Sequence, residues 1–378
     1  MSLKTARKRP LQETKPPPKK RVRVEAVDSQ WFPCKILGHI TTNPKNDEEG
    51  YLVFKKGEVI LKRFQLLTEI GEGTFGRVLK VFDARDRRYK ALKIIKNEPR
   101  YRDAGLHEAK VLMSLNRKDP KGRYLIVDLR EHFQVFGHVC LVFDWLGLSV
   151  FQFMENNNFQ PYSIDHTRHI VHQLCRSVKF MHDNGVIHTD LKPENVLFVK
   201  KETHNGGRKN LNDSTVKLID LGSAVFDRDR HPTTVSTRHY RAPEVILQLD
   251  WSFPCDVWSI GCIIYELHLG EVLFQTHEDL EHLAMMEAVL GPMPTHMIKE
   301  AKTNFYNKPN CRLNWDEDSP TGREVLEVCR PLTECMNCGD EEEYEMLDLM
   351  QRMLTHDPGK RITLTTALNH PFFKRLTH

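Results

Sequence analysis

The stretch His188-Thr-Asp-Leu-Lys-Pro-Glu-Asn195, with Asp220-Leu-Gly222 beyond it, decides how this chain is read. Asp190 can accept a hydroxyl proton, Lys192 stands two positions on as a cation, and Asn195 and Asp220 supply hard oxygens of the kind Mg²⁺ takes. In that order and at those intervals they match a phosphoryl-transfer template. There one aspartate takes the proton, a lysine neutralises γ-phosphate charge, and an asparagine with a second aspartate holds the metal. Taken singly, Asp190 reads as a turn residue and Asp220 as a helix cap, so the case depends on what stands upstream.

Gly71-Glu-Gly-Thr-Phe-Gly76 is weak on its own, because the same spacing occurs in dinucleotide-binding folds. Here it continues into Arg77-Val-Leu-Lys-Val-Phe82, a β-like run where a dinucleotide fold needs a helix, which predicts a strand-turn-strand flap over phosphates. Glycines there let backbone N–H groups come close to a triphosphate, and no Walker-type lysine follows. In Tyr89-Lys-Ala-Leu-Lys-Ile-Ile95 a period of two puts Ala91 and Lys93 on one face of a strand. Glu108, Val111, Leu112 and Leu115 then share a helical stripe, where a carboxylate is costly unless a cation pairs with it. Lys93 is the expected partner, its remaining donors directed at the α- and β-phosphates. Either residue alone reads as a side chain snorkelling at a core edge; both together point to one anion site.

The surrounding chain limits the alternatives. Its 378 residues, 40% hydrophobic and 28% charged, suffice for two modest cores and a tail, and no apolar run reaches spanning length. No apolar segment follows the basic first residues, so the expectation is no secretory signal, no membrane partner and a reducing compartment. The nine cysteines are scattered apart from Cys335-Met-Asn-Cys338, which lacks a second pair at zinc-finger spacing and is read as free thiols. Residues 1 to 24 carry nine basic side chains against Glu13 alone, which leaves a net −4 on the remainder. An acidic body favours basic protein substrates, and specific nucleic-acid binding is not expected. Residues 1–30 read as a disordered basic arm whose Arg7-Lys-Arg9 and Pro18-Lys-Lys-Arg-Val-Arg-Val24 look like a bipartite nuclear-import signal read by an import receptor; a generic basic tail is the plainer alternative.

Short alternating runs from Phe64 to Ile95 predict an antiparallel sheet, and helical periodicity takes over after Gly147. Val171, Leu174, Val178 and Met181 share one helix face ahead of a stop at Asn184-Gly185, while Lys200 to Ser214 reads as a surface insertion in a hairpin. Strands first and helices later argue for two lobes with a cleft between them.

From Phe64 to Phe373 the chain resembles the protein kinases, with Ala242-Pro-Glu244, Asp256-Val-Trp-Ser-Ile-Gly261 and Arg361 extending the match. Ser236-Thr-Arg-His-Tyr-Arg-Ala-Pro-Glu244 and Glu281-His-Leu-Ala-Met-Met-Glu-Ala-Val-Leu-Gly291 narrow the resemblance to the CDC-like, or LAMMER, kinases, although Ala288 replaces the arginine that ends the family's signature. Leu283, Met286 and Leu290 have helical spacing, so that stretch reads as core rather than site. The resemblance implies an α+β bilobal protein-kinase fold: a small β-rich N-lobe with one main helix (64–146) and a larger α-helical C-lobe (147–373) carrying an insertion at 200–215. An N-terminal extension, 31–63, is expected to pack on the N-lobe.

ATP and Mg²⁺ are the implied cofactors, with Asp190, Lys192, Lys93 and Glu108 catalytic and Asn195 and Asp220 on the metal. Nucleotide contacts are implied for Ile70, Gly71, Glu72, Gly73, Thr74, Phe75, Gly76 and Val78 of the loop and its strands. Ala91 and Lys93, the gatekeeper Phe143, Asp144 and Leu146 of the hinge, and Leu197 complete that pocket. A glutamate like Glu244 pairs with an arginine like Arg361 in this family, and an arginine like Arg241 shapes the pocket for the residue after the phosphoacceptor. Substrates are implied to be serine or threonine in arginine/serine-rich splicing factors, with tyrosine autophosphorylation as a family trait, in the nucleus and secondarily the cytoplasm. Leu221 stands where phenylalanine is usual, Asp144-Trp145-Leu146 is an unusual hinge, and Thr189 replaces the arginine that in many kinases meets an activation-loop phosphate. The rival reading is a pseudokinase scaffold; its usual mark is loss of Lys93, Asp190, Asn195 or Asp220, and all four are present.

Overall fold

The structure, a computed structural model, describes residues 45–200, 203–205, 208–211, 213–336 and 339–376. The basic arm of residues 1–30, the first part of the 31–63 extension and Cys338 lie outside the described residues.

Two short paired strands, β1 (Lys45–Asn46) and β2 (Leu52–Val53), open the described chain. Next come β3 (Val59–Ile60), β4 (Phe64–Gly73), β5 (Gly76–Asp83) and β6 (Arg88–Ile95), and, beyond helix α1 (Pro99–Lys118), β7 (Leu129–Val135) and β8 (His138–Asp144). They form a six-stranded antiparallel sheet in the order β3-β4-β5-β6-β8-β7. Alternation along β6 sends Leu92 and Ile94 into a small core with Leu66, Leu79, Val81 and Val142, so Ala91 and Lys93 face the other way. On that side α1 buries Val111, Leu112 and Leu115 in the larger core, and Glu108 is carried in with them.

Helices dominate from there. Helix α2 (Val150–Asn156) starts at a capping box in which Ser149 and Gln152 satisfy each other's backbone N–H groups. Helix α3 (Ile164–Asp183) buries Val171, Leu174, Val178 and Met181 and ends where Gly185 takes a φ of 70°, a conformation glycine adopts without strain. Four strands follow close together: β9 (Val186–Ile187), β10 (Val196–Phe198), and the hairpin β11 (Thr203–Asn205) with β12 (Arg208–Asn210). After them β13 (Val216–Leu218) pairs with β10, and β14 (Val225–Phe226) pairs back to β9. These two pairings lay residues 188–195 beside residues 219–224, and Ile219 N–H donates to Asn195 O at 2.9 Å.

Helix α4 (Pro243–Ile246) leads into α5 (Pro254–Leu269), which is apolar on nearly every side and therefore runs through the middle of the helical lobe. In α6 (Asp279–Leu290), Leu283 and Met286 are fully buried and Leu290 packs against the same core. Arg361 reaches Glu244 through two hydrogen bonds of 2.6 and 2.8 Å, both side chains buried. The result is a β-rich lobe with one main helix joined at residues 144–147 to a larger helical lobe. Among the described residues no helix is long and apolar enough to cross a membrane.

Candidate active site

Lys93 is the point where the lobes meet. Its Nζ lies 2.9 Å from both carboxylate oxygens of Glu108 on α1 and 2.7 Å from Asp220 Oδ1 of the helical lobe. Burial opposes charge on Lys93, but Asp220 and Glu108 outweigh it and raise its pKa. Lys93 in turn holds Asp220 down at about 2, against burial, so this aspartate is ionised in any physiological condition. Glu108 is only 2% exposed; burial pushes its carboxyl up and Asp220 adds to that, and its contact with Lys93 is what makes the position tenable.

Asp190 lies on the loop after β9. One of its oxygens, Oδ2, is 3.0 Å from Lys192 Nζ, and the other accepts from Thr237. Burial works against its ionisation, while Lys192 and the Thr237 hydroxyl outweigh it and hold the carboxyl below the usual aspartate range. The loop is shaped from below by Asp256 of α5, fully buried, which accepts the backbone N–H of His188 at 2.8 Å, that of Thr189 at 2.9 Å, and His182 Nε2 at 2.9 Å. Those bonds hold Thr189 at a φ of 68°, a left-handed conformation that a β-branched residue adopts only under constraint.

Asn195 Nδ2 donates to Asp190 O at 2.8 Å, which commits its amide nitrogen to the loop and leaves its oxygen as the free donor atom for a cation. Asp220, with its side chain 39% exposed, offers carboxylate oxygen from the strand-paired segment opposite. Two hard oxygens short of a full cage suit a divalent ion that completes its shell with phosphate and water.

The glycine-rich flap is the β4-β5 turn, and Gly76 is obligatory there: a Cβ would sit 2.2 Å from Ile94 O. The extension touches this flap, since Tyr51 OH donates to Gly73 O at 3.0 Å beneath the guanidinium of Arg77, 4.1 Å from the ring centre. Ile70, Gly71 and Thr74 are exposed on the flap, and Val78 pairs in register with Lys93. Two flap side chains turn elsewhere: Glu72 is paired with Arg77 at 2.7 Å, and Phe75 packs edge-on against Tyr101 of α1 at 6.1 Å. Those two have backbone rather than side chain to offer a nucleotide. Phe143 is buried in register with Ala91, and Leu146 and Leu197 are half-buried across the hinge. Asp144 accepts from Lys90 and from Arg130 Nε, each at 2.8 Å, and Lys80 lies 4.9 Å over the Trp145 ring. The unusual hinge is thus pinned by charges from three strands.

Sequence reasoning did not single out several neighbours. Thr237 is one, although it lies inside the quoted 236–244 stretch. Asp256 is another, treated there only as part of a structural motif. Glu194 and Glu266 are two more: Glu266 accepts from Tyr240 OH at 2.6 Å, and Glu194 Oε2 is buried with no hydrogen-bond partner among the described residues. The Arg241 guanidinium donates to Val235 O, Ser236 O and Asp279.

Residues 64–373 match the protein kinase domain family. The chain is 49% identical over 340 residues to the dual specificity protein kinase CLK4 of Mus musculus, covering 88% of this chain and 70% of that protein. It is 48% identical over 345 residues to the serine/threonine-protein kinase Doa of Drosophila melanogaster, covering 88% of this chain and 41% of that one. The chain belongs to the CLK family of protein kinases. A crystal structure of a kinase domain superposes on this CLK-family enzyme with a TM-score of 0.79 and 32% identity, over 87% of this chain and 100% of that one. The chain departs from the family's usual residues at Leu221, Thr189 and Ala288. Leu221 is fully buried and fills an apolar slot, Thr189 Oγ1 donates to Ser223 O at 2.9 Å, and Ala288 is half-buried on α6.

Proposed function

We propose that this dual-specificity kinase uses ATP with Mg²⁺ to phosphorylate serine or threonine within arginine-rich protein segments, the arginine/serine-rich splicing factors being the class its family resemblance suggests. In this reading Asp190 accepts the proton of the substrate hydroxyl, while Lys192 and Lys93 carry phosphate charge and Glu108 keeps Lys93 aimed. Asn195 and Asp220 would hold the metal through their oxygens, and a bound Mg²⁺ would supply charge neutralisation to the phosphates.

The observation behind the substrate reading is a pair of acidic side chains, Glu194 beside Asp190 and Glu266 beside Glu194. Burial raises the Glu194 carboxyl, and Asp190 adds to the rise. Burial also pushes Glu266 up to about 7, with Glu194 contributing. Buried carboxylates are costly without cations, and among the described residues neither is in an ion pair. A substrate guanidinium presents a planar fork of donors suited to such a pair. The net −4 on the chain beyond residue 24 adds long-range attraction for basic segments. A panel of serine peptides with and without flanking arginine tests this: kcat/KM should favour arginine, and Glu194→Gln with Glu266→Gln should erase the preference. Equal kcat/KM across the panel in the wild-type enzyme would reject it.

For the basic arm we propose recognition by a nuclear import receptor. Deleting residues 1–24 should leave the enzyme in the cytoplasm, and unchanged nuclear accumulation would contradict that assignment.

A further inference from the structure

Two adjacent carbonyl groups just beyond Asp220 are gripped from opposite lobes. Ser223 O accepts from Thr189 Oγ1 at 2.9 Å, and Ala224 O meets His107 Nε2 at 3.0 Å. Because a carbonyl only accepts, Nε2 is the nitrogen that carries the proton. Thr189 immediately precedes Asp190, and His107 immediately precedes Glu108. Each grip therefore stands one residue from a group that the chemistry uses. Just before them the chain is tight: a Cβ on Gly222 would lie 3.2 Å from Asp220 Oδ1, 3.4 Å from Glu108 Oε2 and 3.5 Å from Lys93 Nζ.

The acceptor end is well anchored. Ala224 N–H donates to Leu221 O at 3.2 Å, and the next two residues form β14, paired to β9. The donor end is reinforced by rings: His107 meets Phe226 edge-on at 6.0 Å, and Lys110 Nζ lies 5.7 Å from the centre of the same ring. Helix α1 also rests on the β-rich lobe through Val111, Leu112 and Leu115, through the Tyr101 ring on Phe75, and through Asn116, whose Oδ1 accepts from Leu129 N–H at 2.9 Å. Apolar contact is non-directional, so around Glu108 it sets how far α1 lies from the sheet more than how the helix is turned, and the Asn116 bond lies eight residues further on. Rotation is what would carry Glu108 away from Lys93. A directional bond one residue away opposes it.

We infer that His107 is a positioning residue of this kinase: its Nε2–H tethers α1 to the segment after Asp220 and keeps Glu108 on Lys93 without any phosphorylated residue. Threonine at 189 brings no cation to meet a phosphate, so the bonds to Ser223 and Ala224 are where this alignment is reinforced.

The test uses the full chain, treated with phosphatase, as wild type and as His107→Ala, His107→Gln and His107→Phe. His107→Ala is expected to lower kcat by about 3- to 10-fold, the effect of losing one hydrogen bond, with peptide KM unchanged. Amide hydrogen exchange should quicken across residues 99–118. His107→Gln, which keeps an N–H donor, should recover most of the rate, while His107→Phe, which keeps only the ring contact, should not. Wild-type kcat in His107→Ala, or equal recovery by phenylalanine and glutamine, would overturn the inference. Should the alanine variant fail to fold, the glutamine–phenylalanine comparison decides the matter alone.

Discussion

Thr237 holds Asp190 twice at one oxygen, its backbone N–H donating to Oδ1 at 3.0 Å and its hydroxyl at 2.7 Å. Lys192 Nζ also donates to that hydroxyl at 2.9 Å, so one threonine aligns both Asp190 and the neighbouring Lys192. Thr237→Val keeps the shape and the backbone bond but removes the hydroxyl. Its kcat should fall about tenfold, by the worth of a hydrogen bond to a charged group, while Thr237→Ser stays near wild type. Steady-state kinetics with one peptide reads both; a valine variant as fast as serine would show that the hydroxyl is idle.

Glu266 should make substrate preference depend on pH. Burial keeps it protonated up to about 7, above its ordinary value of 4.5. The folded state thus holds a proton that the unfolded chain has released. Its contribution to stability is complete below the unfolded value and fades as pH rises through about 7. Arginine binding runs the other way, because a guanidinium prefers the ionised carboxylate. KM for an arginine peptide should therefore rise as pH drops from about 8 to about 6, and Glu266→Gln should flatten that slope. An unchanged slope in the glutamine variant would remove Glu266 from substrate recognition.

The Glu244–Arg361 pair predicts a large loss of stability with no direct effect on chemistry. Both side chains are at most 1% exposed, so Arg361→Met leaves a carboxylate buried without its cation. Urea unfolding should report a loss of about 3 to 5 kcal/mol. A change below about 1 kcal/mol, the range of exposed ion pairs, would mean that the site takes in water.

Much of this architecture was legible in the sequence because it is periodic or local. The period of two in 89–95 and the helical stripe through Glu108 identify the sides of β6 and α1 that meet, so the Lys93–Glu108 pair follows from patterns of a few residues each. Asn195 and Asp220 were legible as a spaced motif, and the structure lays their segments side by side. Contacts across long loops were not: Thr237 lies 47 residues beyond Asp190 in a segment without periodicity, and His107 looks like any polar residue beside a helix stripe. Glu72 and Phe75 show the limit of motif reading within the flap, since local partners, Arg77 and Tyr101, draw their side chains aside. The anchoring of Asp144 by Lys90 and Arg130 depends on strand order, which pairs β6 and β7 with opposite edges of β8.

The central claim is that Asp190 takes the substrate proton in a cleft whose nucleotide contacts lie elsewhere. Transfer of radiolabelled phosphate from ATP to an arginine/serine peptide, compared between wild type and Asp190→Asn, tests it most directly. The account predicts that the variant loses transfer by about a hundredfold or more while binding ATP as tightly as wild type. Transfer at the wild-type rate by Asp190→Asn, or no transfer by the wild-type enzyme, would contradict it.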